Sequence, residues 1–206
     1  MNSCAVTVDV VVFTILERKL HLLLIRRLGK PFQGRFALPG GFVLENESVD
    51  DAAVRELREE TGVRDVYLEQ LYTFGEPKRD PRGRVITVAY YALIPPTQDL
   101  RSTTDASDAA WFAADDLPSL AFDHARIVDT ARTRLRNKLA YTNVGFELLP
   151  EKFTLTELQS VHEAILGTPL DKRNFRRQIQ QRAALEPLQA WRNTGRKPAQ
   201  LFRFKV

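Results

Sequence analysis

GFVLENESVDDAAVRELREETGV, residues 41–63, is the stretch whose reading decides the fold of this chain. Ser48, with Asp51 three residues later, is a capping-box start to a helix. Ala52, Ala53, Val54 and Leu57 supply its apolar stripe, and Gly62 stops it. At about 100° per residue, Glu56, Glu59 and Glu60 fall within an arc of about 100° on one surface of that helix, beside the stripe. Carboxylates crowded in this way repel one another. The cluster becomes favourable when a hard, oxygen-seeking cation such as Mg2+ or Mn2+ sits among them and bridges to phosphate oxygens. For three glutamates alone, a solvated acidic helix face is the plainer account.

On either side of this helix the chain reads as strands. AVTVDVVVF (5–13) is rich in β-branched residues, and LHLLLIRR (20–27) follows a turn-like ERK, so the two form a hairpin. PFQGRFALPGGFV (31–43) is rich in Gly and Pro, which interrupts regular structure and lets backbone come close to a ligand. Beyond the helix, VYLEQLYTF (66–74) and RVITVAYYALI (84–94) flank the loop GEPKRDPRG, and AAWF (109–112) is a short further strand. Ile127, Val128, Ala131, Leu135 and Leu139 recur at helical spacing over 125–140, an amphipathic helix that closes a first domain.

The pattern of 41–63 is Gly41, five residues, Glu47, seven residues, then Arg55-Glu56-Leu57-Arg58-Glu59-Glu60-Thr61-Gly62-Val63. It resembles the signature of the Nudix hydrolase superfamily at every defined position. The resemblance implies a Nudix α/β/α sandwich with a mixed sheet over residues 1–147, in the α+β class. It also implies Glu56, Glu59 and Glu60 as metal ligands or base, the Gly40 carbonyl as a further ligand, and Arg55 with Glu47 as a supporting pair that orients the carboxylates. A metal so held neutralises a pyrophosphate, lowers the pKa of bound water and aligns it with phosphorus.

FGEPKRDPRGRVITVAYYALI (74–94) resembles the branch of that superfamily containing ADP-ribose pyrophosphatases and their regulator relatives, with Pro77 lying 15 residues beyond Gly62. Gly41, Arg79 and Arg82 are the candidate substrate contacts, since guanidinium donors suit phosphate and ribose oxygens. A polar hairpin loop accounts equally for the two arginines. Trp111, Phe112 and Tyr72 are candidates for stacking on adenine, although core packing is the commoner role of such rings. His21, His124 and His162 have no ligand spacing.

Composition bounds the rest. The chain has 206 residues, 44% hydrophobic and 27% charged, enough for one full domain and a small second one. Its one cysteine, Cys4, excludes an internal disulfide framework and a cysteine zinc site, and makes a reducing cytoplasm the expected home. The apolar runs are too short to span a bilayer, and the first residues do not read as a secretory signal.

The net charge of +4 is uneven, with 11 Lys and Arg against 5 Asp and Glu from residue 151 onward. A basic tail suits a polyanionic partner, and a solvated basic surface would look the same. Within it, Thr154 with Glu157 starts a helix carrying Leu158, Val161 and Ile165, ending at Gly167-Thr168-Pro169. A second helix runs from Asp171 to about Leu185, burying Phe175 and Ile179. Helix, short turn and basic helix make a helix-turn-helix, and TGRKPAQLFRF reads as a basic turn entering a final strand.

Residues 148–206 resemble the winged-helix domain fused behind a Nudix domain in the NrtR family of transcriptional regulators of NAD metabolism. The resemblance implies double-stranded DNA as partner, a homodimer on a palindromic site, and Lys172, Arg173, Asn174, Arg176, Arg177, Arg196 and Lys197 at the interface. Asn174 or Gln178 would read adenine. Regulators of that family often carry an eroded Nudix box, whereas here every acidic position survives. The intact box puts Mg2+-dependent hydrolysis of ADP-ribose to AMP and ribose 5-phosphate first, by a protein that also carries a DNA-binding winged helix, with effector-controlled repression without efficient turnover as the alternative.

Overall fold

The computed structural model describes residues 4–96, 109–193, 195 and 197–205. Arg196, one of the expected DNA contacts, lies outside them.

Strand β1 (Ala5–Leu16) is the centre of the sheet. It pairs antiparallel with β2 (Lys19–Arg26) and parallel with β6 (Val85–Leu93), in the order β3-β2-β1-β6-β5, with β3 at Phe36–Ala37 and β5 at Tyr67–Phe74. Two short strands complete it: β4 (Gly40–Phe42) on β1 and β7 (Ala110–Ala113) on β2. β3 and β4 lie in the Gly/Pro-rich stretch read from sequence as irregular; each is too short for alternation to reveal it.

The apolar run of β1 reflects a strand covered on both faces. Val8, Val10 and Val12 point toward helix α1 (Val49–Thr61), with Ala52, Ala53 and Leu57. Val11 and Phe13 point the other way, toward helix α2 (His124–Leu139), with Ile127, Val128, Ala131 and Leu135. The result is an α/β/α sandwich on a mixed sheet, as expected. One residue departs from the stripe read for α1. Val54 is 55% exposed, because the sheet-facing arc of the helix is narrower than the sequence suggested.

The ends of α1 are set locally. The Asp51 amide donates to Ser48 Oγ, and Gly62 takes the left-handed conformation at φ 74° while its amide reaches the Arg58 carbonyl.

After a 3-10 turn at Val144–Leu148, the C-terminal part forms helix α3 (Leu155–Leu166), helix α4 (Lys172–Arg182) and an antiparallel hairpin of β8 (Leu185–Arg192) and β9 (Ala199–Phe204). The Thr154–Glu157 capping box forms with both of its hydrogen bonds, and Gly167 closes α3 at φ 74°. Two boundaries differ from the sequence reading. α4 stops at Arg182, since Ala183 is extended, and strand β8 follows where none was expected. Pro187 excludes a helix interior there, and the burial of β8 alternates.

The two parts share one apolar core. Val144, Phe146 and Leu148 join the α2 side of the sheet to Phe153, Leu158, Val161, Phe175 and Ile179. Phe146 stacks on Phe204 with centroids 4.4 Å apart. Polar ties reinforce this: Arg136 of α2 donates to the Ile165 carbonyl at 3.0 Å, and Arg182 of α4 donates to the carbonyls of Leu139, Ala140 and Thr142 at 2.7, 2.8 and 2.6 Å. These last acceptors are the otherwise unpaired carbonyls at the C-terminal end of α2, where a cation is favoured twice over. No helix among the described residues is long and apolar enough to cross a membrane.

His162 is buried against Phe175 inside the C-terminal part, and burial, with Arg182 nearby, pushes its pKa down to about 4. The unfolded chain, with an ordinary imidazole, binds more protons between that value and about 6.5. The contribution of His162 to stability is thus complete above pH 6.5 and falls as pH drops toward 4, by about 3 kcal/mol in all. Urea unfolding followed from pH 7 to pH 4 should show this loss, and His162→Gln should flatten it; an equally steep profile in the variant would assign the acid sensitivity elsewhere.

Candidate active site and nucleic-acid interface

Gly40 and Gly41 decide how closely α1 meets the sheet. Gly40 pairs with Asp9 of β1 at φ 155°, and a Cβ there would fall inside the Val8 carbonyl oxygen. A Cβ on Gly41 would overlap the carboxylate of Glu56. Glycine is required at Gly40, where the clash is with backbone, whereas a side chain at Gly41 would displace the Glu56 carboxylate.

Arg55 organises the carboxylates. Its Nε and Nη2 grip Glu47 in a fork at 2.9 and 2.7 Å, Nη2 also reaches the Phe42 carbonyl at 3.1 Å, and Nη1 reaches Glu56 at 2.6 Å and Glu59 at 3.2 Å. Glu47 also accepts from the Leu44 amide at 2.8 Å. The Arg55 fork, followed by that amide, pulls the pKa of Glu47 down to about 2, and the glutamate holds the Arg55 pKa well above its ordinary value. The pair anchors the loop before α1 to the helix.

Glu60 behaves differently. Its carboxylate accepts from the Gly40 amide at 2.7 Å, yet burial lifts its pKa to about 8 against that hydrogen bond, with Glu56 and Asp9 adding to the rise. An acid buried among other acids, without enough positive charge to balance it, is the donor set that a divalent cation suits. Glu56 and Glu59 stand on the same wall, each engaged by Arg55. As they stand, no three His, Cys, Asp or Glu side chains among the described residues form a closed metal cage. The expected ligands Glu56, Glu59, Glu60 and Gly40 thus line one cleft.

That cleft is a cavity of about 640 Å³, within the range of small-molecule sites. Gly41, Arg79 and Arg82, the candidate substrate contacts, all line it. Arg79 is almost wholly buried: it forms a fork to Asp123 at 3.0 and 2.7 Å and lies 3.4 Å from Asp9. Arg82 forms a fork to Asp80 and remains half-exposed.

Several lining residues have no sequence signal of their own. Asp9 and Thr7 interrupt the valines of β1, and His124 opens α2. His124 accepts from the Leu38 amide through Nδ1 at 2.9 Å, which leaves the proton on Nε2, 3.4 Å from Asp9. Burial drives its pKa down, so the ring is neutral and acts as a structural link between α2 and the sheet. Only an apolar strand broken by a lone aspartate could have pointed to this group.

Trp111 and Phe112 pack on the two sides of the sheet through β7, Phe112 edge-on to Phe36 with centroids 4.7 Å apart. Tyr72 is 58% exposed beside Phe74. None of the three lines the cavity.

On α4, Phe175 and Ile179 face inward, which turns Arg173 and Arg177 outward on one ridge; both are exposed, as are Lys172, Asn174 and Gln178. Arg177 donates to Asn174 Oδ1 at 2.9 Å. Arg176 is placed otherwise: it lies half-buried on the flank toward α3, its Nη2 3.5 Å from Thr156 Oγ1. Lys197 is exposed in the turn between β8 and β9.

A Gly40→Ala substitution should cost at least about 3 kcal/mol, since the clash is with backbone and cannot be relieved by a rotamer. Its urea midpoint checks this, and a midpoint near that of the parent would mean that β4 can retreat from β1.

The comparisons agree with this architecture. A family model for the Nudix domain matches residues 6–131, and one for the NrtR DNA-binding winged helix domain matches residues 145–204. The chain is 39% identical over 208 residues to the ADPR responsive transcriptional repressor NtrR of Acinetobacter baylyi, covering 99% of this chain and 83% of that protein. It is 44% identical over 114 residues to the ADP-ribose pyrophosphatase of Methanocaldococcus jannaschii, covering 55% of this chain and 67% of that one. The crystal structure of Shewanella oneidensis NrtR complexed with a 27mer DNA superposes with a TM-score of 0.88 at 40% identity, over 97% of this chain and 93% of that one. With a Nudix box on a close-packed helix and a winged helix sharing its core, the chain belongs to the NrtR family of Nudix proteins.

Proposed function

We propose that this protein is a DNA-binding regulator whose Nudix cleft takes ADP-ribose as the signal. The observation that carries this reading is the outward ridge of Arg173 and Arg177 on α4, held by Arg182 to the same helix α2 whose first residues line the cleft. Read alone, the sequence favoured the enzyme; relatedness along the whole chain to an ADPR responsive repressor puts DNA binding first. Lys172, Arg173 and Arg177, with Lys197 and Arg196 in the wing, would meet phosphates and guanine edges, and Asn174 an adenine edge. Arg176 supports the helix from its flank. One winged helix reads one half-site, so a homodimer on a palindrome is the expected assembly. Work on DNA fits the cytoplasmic home expected from the single cysteine.

The complete box favours a second activity in the same cleft, cleavage of ADP-ribose to AMP and ribose 5-phosphate. Glu56, Glu59 and Glu60 would hold Mg2+ or Mn2+, which supplies charge neutralisation for the diphosphate and an acidified water when bound. Arg55 and Glu47 fix where those carboxylates stand. Arg82 offers its guanidinium at the cleft wall, and Arg79 orients Asp9 and Asp123. Hydrolysis would then end the signal that the cleft receives.

Helix α2 offers the path between the two sites. Asp123, at its N-cap, has its carboxylate in the fork of Arg79 instead of capping the helix, and its C-terminal carbonyls lie in the grasp of Arg182. A ligand that changes the hold on Asp123 biases the position of α4 by its differential affinity for the two arrangements.

Three experiments test these readings. Incubation with ADP-ribose and Mg2+ should release AMP, and Glu59→Gln should abolish it while leaving the melt unchanged; equal turnover in the variant would sink the assignment of the carboxylates. Duplex DNA selected from a random library should bind with a salt slope that falls by about 1 for each of Arg173→Ala and Arg177→Ala. An unaltered slope would move the DNA interface away from α4. Arg182→Ala should bind ADP-ribose and DNA separately as the parent does but weaken the effect of one on the other; coupling as strong as the parent's would exclude α2 as the path.

A further inference from the structure

A second cavity, of about 360 Å³, opens at the seam where the C-terminal end of α2 meets α3 and α4. Leu139 of α2, Leu166 of α3, Leu170 of the following turn, and Phe175 and Ile179 of α4 give it an apolar lining. It shares no lining residue with the Nudix cleft, and its size lies at the lower end of the range for small-molecule sites.

His162 is the polar group set into this lining. It is 8% exposed and packs edge-on against Phe175, with centroids 5.1 Å apart. Among the described residues its ring takes part in no hydrogen bond, so a neutral imidazole leaves one donor and one acceptor for whatever enters the cavity. A hydrocarbon ring would fill the same space without burying polar atoms. Arg136 and Arg182 stand exposed at the mouth, and neither has a carboxylate partner among the described residues. Arg136 spends only Nε on the Ile165 carbonyl, which leaves the donors of both Nη atoms available. Asp171, the acid of the lining, is occupied at the start of α4, where it accepts from the Asn174 amide at 2.8 Å.

We propose that this cavity is a second ligand site, for a small organic carboxylate with a flat apolar body. The carboxylate faces Arg136 and Arg182, since a planar guanidinium fork matches two carboxylate oxygens. The apolar body lies between Leu166, Leu170 and Phe175, and His162 meets a polar atom of the ligand at the inner end. An inorganic anion would leave the hydrocarbon lining uncovered, and a purely apolar molecule would leave His162 and the arginines unused, so the site requires both features in one molecule. A ligand so placed touches α2, α3 and α4 at once, beside Asn174 and Gln178 of the helix that carries the basic ridge. The inference does not depend on what occupies the Nudix cleft.

The test titrates 2-naphthoate into the full-length protein while the ring signals of His162 are followed by NMR, with 2-naphthamide as the neutral counterpart. The carboxylate should saturate one site and move the His162 signals whether or not ADP-ribose is present at saturation, and the amide should bind more weakly. Calorimetry on two variants completes it. Arg136→Gln removes a charge at the mouth, and His162→Phe removes the ring nitrogens while keeping a ring against Phe175; each should lower the affinity for 2-naphthoate roughly two- to tenfold. Should His162→Phe fail to fold, Arg136→Gln, at an exposed position, decides. His162 signals that stay in place at millimolar 2-naphthoate, signals that ADP-ribose returns to their free positions, or undiminished affinity in Arg136→Gln would each overturn the proposal.

Discussion

The close approach of α1 to the sheet at Gly40 and Gly41 is the constraint on which the rest of the site depends. With no side chain at either residue, Glu60 accepts directly from the Gly40 amide and Glu56 lies over Gly41. Arg55 can then join the helix to the loop through Glu47 and the Phe42 carbonyl. The carboxylates of the box are thus held by a rigid element and by each other's partners, which is the preorganisation a phosphate site requires. A single methyl group at Gly40 would undo it through the backbone of β1.

On the opposite side of the cleft, Asp9, Arg79, Asp123 and His124 form a second, buried polar network. Each group is satisfied by another from a different part of the chain, as burial demands. Its effect is to fix the start of α2 against β1 and the loop after β3. The far end of the same helix meets Arg182, so one rigid rod touches both the cleft and α4. That continuity comes from the apolar core that α2 shares with α3 and α4, and the two regions matched by separate family models are physically one packed body across that seam.

Local signals in the sequence proved dependable where the structure is local. Ser48 and Gly62 bound α1 and Thr154 and Gly167 bound α3 because capping bonds join residues only a few positions apart. The apolar positions of α2 were all buried as spaced. The reading failed where partners are distant or elements short: β3 and β4 have too few residues to show a period, and β8 follows a polar helix end with only Pro187 to mark the change. Arg176 is set apart from its basic neighbours by tertiary packing alone, half-buried on the flank of α4 toward Thr156.

By itself, then, the sequence determined the box, the helix that carries it, the face on which Glu56, Glu59 and Glu60 stand, and the basic second helix of the C-terminal part. Those features follow from helical periodicity and from bonds between near neighbours. Tertiary structure alone decided that Asp9 and His124 meet, that Arg79 grips the start of α2, that Arg136 and His162 line one cavity, and that Arg182 ties α4 to α2. These contacts join segments far apart in the chain, and it is the packing of both helix layers on β1, not any local pattern, that brings them within reach.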